Sequence, residues 1–250
     1  MYGLLDLDVT EAERWWRAQP GVSATHVVGA AVGKALVECP DANTRLVAGR
    51  ARQRPDVDVS FAVSIEDGHH LQAVCVRGAD SLGPPEIAAE LSAGLRRVVR
   101  SDNAPFERAV RAADALPGWL VRPGLWLVGL LSAGFGWSLP LLRVESHPFG
   151  SALVTSVGEL GIEQGLAPVL PFARLGLVVA IGSVDWRPRV VDGDVVARRT
   201  LQLGVTIDHR LVDGAQAAQF TRALSAAVER PWGAESSSAT GASNHPPRAV

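Results

Sequence analysis

The stretch that decides the fold is residues 195–214, which read VVARRTLQLGVTIDHRLVDG. Its apolar-rich first part, residues 195–207, predicts a strand. The chain then turns through Asp208, His209 and Arg210 before a helix that is expected to begin near Asp213. A histidine at such a strand-to-helix junction can be held rigidly and still face a channel. Because histidine titrates near neutral pH, His209 is a candidate general base.

The two residues that follow the turn support this interpretation. Asp213 opens the predicted helix, where its carboxylate can cap free backbone N–H groups and tie the turn down. Gly214 is expected to leave room for close backbone packing. The motif alone does not decide the function, because a histidine followed four residues later by Asp-Gly also fits a purely structural turn.

Composition limits the classes of protein that fit. The chain has 250 residues, of which 47% are hydrophobic and 20% charged, so it can bury a core. The net charge of −2 gives no basic surplus for a nucleic-acid partner. Cys39 and Cys75 form neither a close pair nor part of a metal-ligand set, which favours buried thiols in a reducing cytosol. Since residues 1–6 lack the features of a signal peptide, we expect a cytoplasmic protein. Because no metal-ligand set is visible, we expect no bound metal.

One uncharged stretch, residues 123–142, is long enough to span a membrane. Its many glycines and prolines and its position in the middle of the chain make a membrane span the weaker hypothesis. Two short buried helices or an oligomer contact are preferred. Trp119, Trp126 and Trp137 suit an apolar interface or an acyl pocket, with ordinary core packing as the alternative.

Elsewhere the pattern predicts a mixed α/β protein with hairpins as well as crossovers. A capping box from Thr10 to Glu13 is expected at the first helix. The predicted strands cover residues 4–9, 57–65, 71–77, 151–157, 175–184, 189–191 and 195–207, and the predicted helices cover residues 10–17, 24–38, 84–100, 105–113 and 213–229.

The turn at residues 208–214 resembles the Asp-His-Arg-x-x-Asp-Gly motif of the dihydrolipoamide acyltransferases of 2-oxoacid dehydrogenase complexes, which are related to chloramphenicol acetyltransferase. The resemblance covers roughly residues 4–232 and is weakest between residues 100 and 149. Further similar segments follow in the family's order: residues 8–10, the Pro-x-x-Asn turn at residues 40–43, residues 57–63, 67–68 and 74–80, the glycine-rich strand and turn at residues 150–161, and residues 175–182 and 190–193.

This resemblance implies a chloramphenicol-acetyltransferase-like two-layer sandwich, in which a mixed β-sheet packs against helices. Residues 1–232 would be the catalytic domain, with an atypical tryptophan-rich segment at residues 100–149, and residues 233–250 a disordered tail. The family forms homotrimers or larger assemblies of trimers, with each active site between subunits. Coenzyme A thioester is a co-substrate, and no cofactor is permanently bound.

The resemblance also assigns roles to single residues. His209 would be the general base, Asp213 would hold the turn, and Thr155 would donate a hydrogen bond to the tetrahedral oxyanion. Ser156 is the fallback for Thr155, and an ordinary strand threonine is the structural alternative. Ser156, His147 and Gly214 are the expected substrate contacts.

Three departures bear on the acceptor. The chain lacks most of the family's opening helical segment, it carries no lipoyl domain, and residues 122–143 are unlike the usual linker. In these respects the chain resembles stand-alone relatives that acylate a hydroxyl, such as that of a tetronate-type polyketide intermediate. Transfer of an acetyl or short acyl group from acyl-CoA to a small-molecule hydroxyl is therefore the first hypothesis. The alternatives are action on a lipoyl domain supplied in trans and a catalytically silent trimeric scaffold.

Overall fold

The computed structural model describes residues 1–47, 50–65, 70–100, 149–169 and 175–233. Its centre is a six-stranded mixed sheet with the order β1-β8-β7-β6-β4-β5. Strands β4, β6 and β7 run parallel, and the other neighbouring pairs are antiparallel. A separate two-stranded ribbon consists of β2 and β3. The strands are β1 (Tyr2–Asp8), β2 (Thr44–Val47), β3 (Arg50–Gln53), β4 (Val59–Ile65), β5 (His70–Val76), β6 (Ala152–Ser156), β7 (Leu177–Val191) and β8 (Asp194–Ile207).

Four α-helices belong to the described ranges: α1 (Thr10–Arg17), α2 (Ala24–Glu38), α3 (Pro84–Arg100) and α4 (Gly214–Glu229). Helix α2 lies very close to the sheet because it carries a glycine at the contact. A Cβ atom at Gly29 would lie only 2.3 Å from the ring of Phe61 on β4. The predicted mixed sheet packed with helices is therefore confirmed.

The sheet has two chemically different faces, because side chains alternate along each strand. The helix face carries fully buried apolar residues such as Phe61, Val154 and Leu203, which belong to one core cluster with α2 and α4. The opposite face, called the second face below, carries smaller and more polar residues. Its central row, read from the strand register, is Ala62, Thr155, Ala180 and Gly204.

Several sequence predictions are confirmed closely. Helices α2 and α3 have the predicted bounds, and the strand predicted at residues 4–9 is β1. The hairpin predicted from residues 57–77 is β4 and β5. The turn at residues 66–68, the helix at residues 105–113, the apolar stretch at residues 123–142 and all of the predicted tail except Gly233 lie outside the described residues. No helix within the described ranges is both long and apolar enough to cross a membrane.

Strand β7 is longer than predicted, because the segments at residues 175–184 and 189–191 form one continuous strand. It pairs with β8 along its whole length, and a register shift between Ile181 and Val184 absorbs the irregularity. The predicted turn between β7 and β8 is confirmed. Asp192 and Gly193 have φ values of 52° and 93°, as two-residue hairpin turns of this kind require.

The predicted capping box at α1 is wrong, because Thr10 is already helical and the N-cap residue, Val9, makes no side-chain capping hydrogen bond. The Thr10 hydroxyl instead donates to Asp8 Oδ1 at 2.7 Å and accepts from the backbone N of Arg199 at 3.0 Å. Glu13 is buried and accepts two hydrogen bonds from Arg199, at 2.6 and 2.9 Å, and one from Arg17 at 3.0 Å. Glu13 therefore anchors α1 to β8 rather than closing its own helix.

Replacing Glu13 with glutamine is expected to lower the free energy of unfolding by about 3 kcal/mol at pH 7, because Arg199 keeps its charge and loses its partner. Burial raises the pKa of Glu13, but the hydrogen bonds from Arg199 and Arg17 outweigh it and leave the pKa below the ordinary value. The ionised pair therefore stabilises the fold above about pH 4.3, and this contribution is lost as the pH falls through the folded-state pKa. Urea denaturation of the wild type and of Glu13→Gln at pH 7 and at about pH 3 measures the difference, which should shrink at the lower pH.

The matched control is Glu11→Gln, because Glu11 pairs with Arg14 in an exposed position on the same helix. An exposed pair contributes little, so a change within about 0.5 kcal/mol is expected there. Equal losses for Glu11→Gln and Glu13→Gln would contradict the anchoring role of Glu13.

Candidate active site

The turn that carries His209 is anchored to the start of β7. The backbone N of Asp208 donates to the carbonyl of Gly176 at 2.9 Å. The carbonyl of Asp208 in turn accepts from the backbone N atoms of Leu211 and Val212, at 3.0 and 3.2 Å. Val212 is buried in the core. Backbone hydrogen bonds and one apolar anchor thus fix the path of the chain through the turn.

A charged pair spans His209. The guanidinium of Arg210 donates to the Asp208 carboxylate through Nε at 3.0 Å and through Nη2 at 2.6 Å. These hydrogen bonds hold the pKa of Asp208 below its ordinary value. The His209 side chain between them is exposed, and its ring has no hydrogen-bond partner among the described residues. Hydrogen bonds therefore hold the chain on both sides of an exposed histidine.

Asp213 caps α4, as predicted. Its Oδ1 accepts from the backbone N of Gln216 at 2.9 Å, and Gln216 Oε1 accepts from the backbone N of Asp213 at 2.9 Å. This reciprocal capping box identifies Gln216 as the local partner of Asp213, which sequence reasoning missed. The spacing from Asp213 to Gln216 was the available signal, because glutamine three residues after the cap is typical of such boxes.

Helix α4 is also fixed to the end of α2. The carbonyl of Gln216 accepts a weak hydrogen bond from Cys39 Sγ at 3.5 Å. Gln219 Nε2 donates to the carbonyl of Glu38 at 3.0 Å. The capped end of α4 therefore has a defined position relative to the rest of the core.

The packing role predicted for Gly214 is wrong within one chain. A Cβ atom at residue 214 would have no other atom within 4 Å, so no close backbone approach requires glycine there. Its role as a substrate contact stays a prediction.

Thr155 lies on β6 in the central row of the second face. Its neighbours in register are Ala62 on β4 and Ala180 on β7, and Gly204 follows on β8. These small residues leave the half-buried Thr155 hydroxyl as the one polar side-chain group in that four-residue row. It has no hydrogen-bond partner among the described residues. The β8 end of the row is covered, because a Cβ atom at Gly204 would lie 1.9 Å from the carbonyl oxygen of Gly165. The half-buried Thr155 hydroxyl can still donate a hydrogen bond to a substrate carbonyl.

Ser156 belongs to the opposite side of the sheet. It pairs in register with Ile181, which is part of the core cluster on the helix face. Because adjacent residues of a strand point to opposite faces, Thr155 and Ser156 cannot serve the same site. At most one of the two hydroxyl groups can therefore be the donor to the oxyanion.

One chain does not bring His209 and Thr155 together. Thr155 is level with Gly204 on β8, two strands away, which is roughly 10 Å across the sheet. Ile207, after which the turn begins, lies roughly 10 Å further along β8. The two side chains are therefore on the order of 15 Å apart within a single copy.

The remaining candidates contribute little to this arrangement. His147 lies outside the described residues. Within residues 1–47, 50–65, 70–100, 149–169 and 175–233, no group of three histidine, cysteine or acidic residues is placed to hold a metal ion. Cys39 and Cys75 are free thiols, and burial raises the pKa of both.

Comparison with known families gives a match that covers both segments of the candidate site. A family model described as 2-oxoacid dehydrogenases acyltransferase (catalytic domain) matches residues 4–105 and 142–235. The match includes the His209 turn and Thr155. Residues 106–141, which hold most of the atypical apolar stretch, fall outside it.

One curated relative is the dihydrolipoyllysine-residue acetyltransferase component of the acetoin cleaving system of Bacillus subtilis. It is 27% identical over 211 residues, which is 84% of this chain and 42% of the relative. Other curated relatives are matched over as little as 16% to 20% of their length. The chain thus spans less than half of the curated relatives.

Two solved structures show the same fold. A probable dihydrolipoamide acetyltransferase from Listeria monocytogenes has a TM-score of 0.63 at 22% identity, covering 92% of this chain and 83% of that one. A chloramphenicol acetyltransferase has a TM-score of 0.50 at 14% identity, covering 91% of this chain and 87% of that one. The chloramphenicol-acetyltransferase-like sandwich predicted from the sequence is therefore confirmed.

Proposed function

Since the chain belongs to the 2-oxoacid dehydrogenase acyltransferase family through its catalytic domain, we propose that it moves an acetyl or short acyl group from its coenzyme A thioester to a small-molecule hydroxyl. The observation that carries this proposal is the His209 turn, in which an exposed imidazole stands on a backbone fixed from both sides. The coenzyme A thioester acts as a co-substrate in this reaction, and no permanently bound cofactor is needed.

His209 begins the reaction as general base. A ring nitrogen takes the proton from the acceptor hydroxyl as the acceptor oxygen attacks the thioester carbonyl carbon. A carbon–oxygen bond forms, and the carbonyl becomes a tetrahedral oxyanion. When this intermediate collapses, the carbon–sulfur bond breaks and the coenzyme A thiolate takes the proton back from the imidazolium. Protons and electrons balance, so the histidine is regenerated in each turnover.

Thr155 stabilises the oxyanion in this mechanism. Among the described residues the Thr155 hydroxyl has no hydrogen-bond partner, and its neighbours in register, Ala62 and Ala180, carry only methyl groups. A donor that meets charge developing in the transition state typically contributes about 10²- to 10³-fold to the rate. Asp213 contributes indirectly by capping α4 and fixing the end of the turn.

The active site is proposed to lie between two copies of the chain. The register separates His209 from Thr155 within one copy, whereas the reaction needs both at a single carbonyl group. The geometry therefore supports a site that takes His209 from one subunit and Thr155 from its neighbour. We propose a homotrimer or a larger assembly of trimers, acting in the cytoplasm. A structural neighbour is described as the cubic core of the pyruvate dehydrogenase multienzyme complex.

The catalytic domain is taken as residues 1–232, with residues 233–250 as a tail. A tetronate-type polyketide intermediate is the specific acceptor that the sequence resemblance suggests. The names of the curated relatives favour a second candidate, the dihydrolipoyl group of a lipoyl domain supplied in trans.

Acceptor preference separates the two candidates. With acetyl-CoA as donor, small alcohols including a tetronate-type hydroxyl compound are expected to yield an ester, because oxygen attacks once His209 removes its proton. Free dihydrolipoamide is assayed in parallel, and mass spectrometry identifies the products. Acetyl transfer to dihydrolipoamide, with no transfer to any of the alcohols, would overturn the hydroxyl proposal. Failure to bind coenzyme A by calorimetry, together with no product, would instead favour a silent scaffold.

A further inference from the structure

Helix α2 begins with a capping box in which one partner is a histidine. Ser23 is the N-cap residue, and His26 is the third residue of the helix. The backbone N of Ser23 donates to His26 Nδ1 at 3.0 Å, and the Ser23 hydroxyl lies 3.1 Å from the same nitrogen. Because Nδ1 accepts this hydrogen bond, the proton of the neutral ring is on Nε2. The box therefore requires a neutral imidazole.

The capping box of α4 has the same arrangement with a residue that does not titrate. Gln216 Oε1 accepts from the backbone N of Asp213 at 2.9 Å. Glutamine and glutamate are the usual residues at this third position of a capping box. The two helices thus begin with the same local structure, but only the box of α2 depends on the protonation of its side-chain acceptor.

Protonation of Nδ1 would place an N–H group of the ring against the N–H group of Ser23. The charged ring could donate to the Ser23 hydroxyl, but the backbone N–H of Ser23 would still lose its acceptor. A positive charge in the first turn of a helix is also opposed by the helix dipole. Burial of the half-buried ring lowers the pKa of His26 below its ordinary value. The folded chain therefore favours the neutral ring.

Neighbouring charges do not offset this preference. Charged side chains occur on α2 itself, on the three other helices and on two short turns that pack against α2. They are Lys34 and Glu38 on α2, Glu11, Glu13, Arg14 and Arg17 on α1, Glu86, Glu90, Arg96 and Arg97 on α3, Arg222 and Glu229 on α4, and Asp41 and Asp80 on the turns. Among the described residues none of them contributes to the lowered pKa of His26, of which burial is the cause.

The first turn of α2 leads directly into closely packed core. Val27 and Val28 are buried, and Gly29 lies against the ring of Phe61 on β4. These contacts do not involve the imidazole, so they should hold the rest of the helix when the box opens. Loss of the box is therefore expected to loosen the first turn alone, as a local opening of the fold.

We propose that His26 is a pH-sensitive cap of α2, closed when the ring is neutral and opened when acid protonates it. Because the folded chain has the lower pKa, the unfolded chain binds the proton first. The stability that the box contributes is therefore complete above about pH 6.5 and is lost as the pH falls through the folded-state pKa. This role goes beyond acyl transfer and does not depend on it.

The test replaces His26 with glutamine, which reproduces the box of α4 without a titrating group. Urea denaturation compares the two proteins at about pH 7.5 and at about pH 5, which lies above the usual range of carboxyl groups. Between these pH values the folding equilibrium constant is expected to fall about five-fold more in the wild type than in His26→Gln, which is the usual contribution of one capping interaction.

The matched control is His209→Gln, which removes an exposed histidine whose ring has no hydrogen-bond partner among the described residues. Its loss of stability between the two pH values should equal that of the wild type. Equal losses in the wild type and in His26→Gln, or a loss in His209→Gln as small as in His26→Gln, would overturn the proposal.

Hydrogen exchange of the wild type keeps the proposal testable if His26→Gln does not fold. The amides of Ser23 and Val27 report on the box of α2, and those of Asp213 and Ala217 report on the box of α4. On lowering the pH from about 7.5 to about 5, protection of the α2 amides is expected to fall about five-fold relative to the α4 amides. Protection that changes equally in both boxes would contradict a pH-sensitive cap.

Discussion

Replacing His209 with alanine is expected to lower kcat/KM for acyl transfer by about 10³-fold, with little change in stability. Proton transfer by a positioned side chain contributes about 10²- to 10⁴-fold, and here one ring serves both the attack and the collapse of the intermediate. Stability should be preserved because the exposed ring has no hydrogen-bond partner among the described residues. The measurement is steady-state kinetics with acetyl-CoA and the acceptor identified by mass spectrometry.

The control for His209→Ala is Arg222→Ala, an exposed residue of α4 away from the turn. Both variants should keep the oligomer by light scattering and the thermal midpoint of the wild type. Near-normal turnover in a correctly assembled His209→Ala protein would rule out the general-base mechanism.

Replacing Thr155 with valine is expected to lower kcat by about 10²- to 10³-fold, because the oxyanion loses its hydrogen-bond donor. Valine has nearly the same shape, and Thr155 lies among small residues, so the KM should change little. Thr155→Ser restores the hydroxyl and should return kcat to within a few-fold of the wild type. A loss in Thr155→Ser as large as in Thr155→Val would mean that shape, and not the hydroxyl, matters.

Ser156→Ala decides between the two neighbouring hydroxyl residues. Ser156 lies on the helix face, so its substitution should leave kcat close to the wild-type value. A larger loss in Ser156→Ala than in Thr155→Val would show that the assignment of the donor to Thr155 is wrong.

Mixing two inactive proteins tests whether the site is shared between subunits. His209→Ala and Thr155→Val are each expected to be nearly inactive as homo-oligomers. When they are unfolded together and reassembled, some interfaces combine an intact His209 with an intact Thr155, and activity should return. No recovery in verified mixed oligomers would contradict a site built from two chains.

Local periodicity was sufficient to predict the helices and most of the sheet. Helix α2 has its predicted bounds because apolar residues recur at helical spacing and Pro40 follows its end. Helix α3 begins at Pro84, where the fixed φ of proline favours the first turn. The two-residue turn at Asp192 and Gly193 was also readable from residue type alone.

Long-range contacts explain where the sequence predictions were wrong or silent. Glu13 fits a capping box locally, but Arg199 on β8 offers a charged partner that the local pattern does not show. The β2–β3 ribbon was not predicted, because alternating arginines such as Arg50 and Arg52 lack the apolar periodicity that indicates a strand. Gly214 was expected to be needed for packing, yet only the folded chain reveals the open space beside it.

For the candidate site, the sequence suggested roles for single residues but did not specify how they are arranged. His209 and Asp213 belong to one short turn, so their relation was readable from spacing. The distance between His209 and Thr155 depends on the register of β6, β7 and β8, which no local pattern specifies. The partner of Asp213 was identified only when the side chain of Gln216 was placed.

The pairing of β1 with β8 has a consequence for how the protein folds. Residues 2–8 pair with residues 200–206, and the backbone N of Ile207 donates to the carbonyl of Met1 beside the His209 turn. Closing so long a loop is entropically expensive and slow. During synthesis the first strand must wait until almost the whole domain has left the ribosome. The His209 turn is therefore completed late in folding, and the edge of β8 can pair with wrong partners until β1 docks against it.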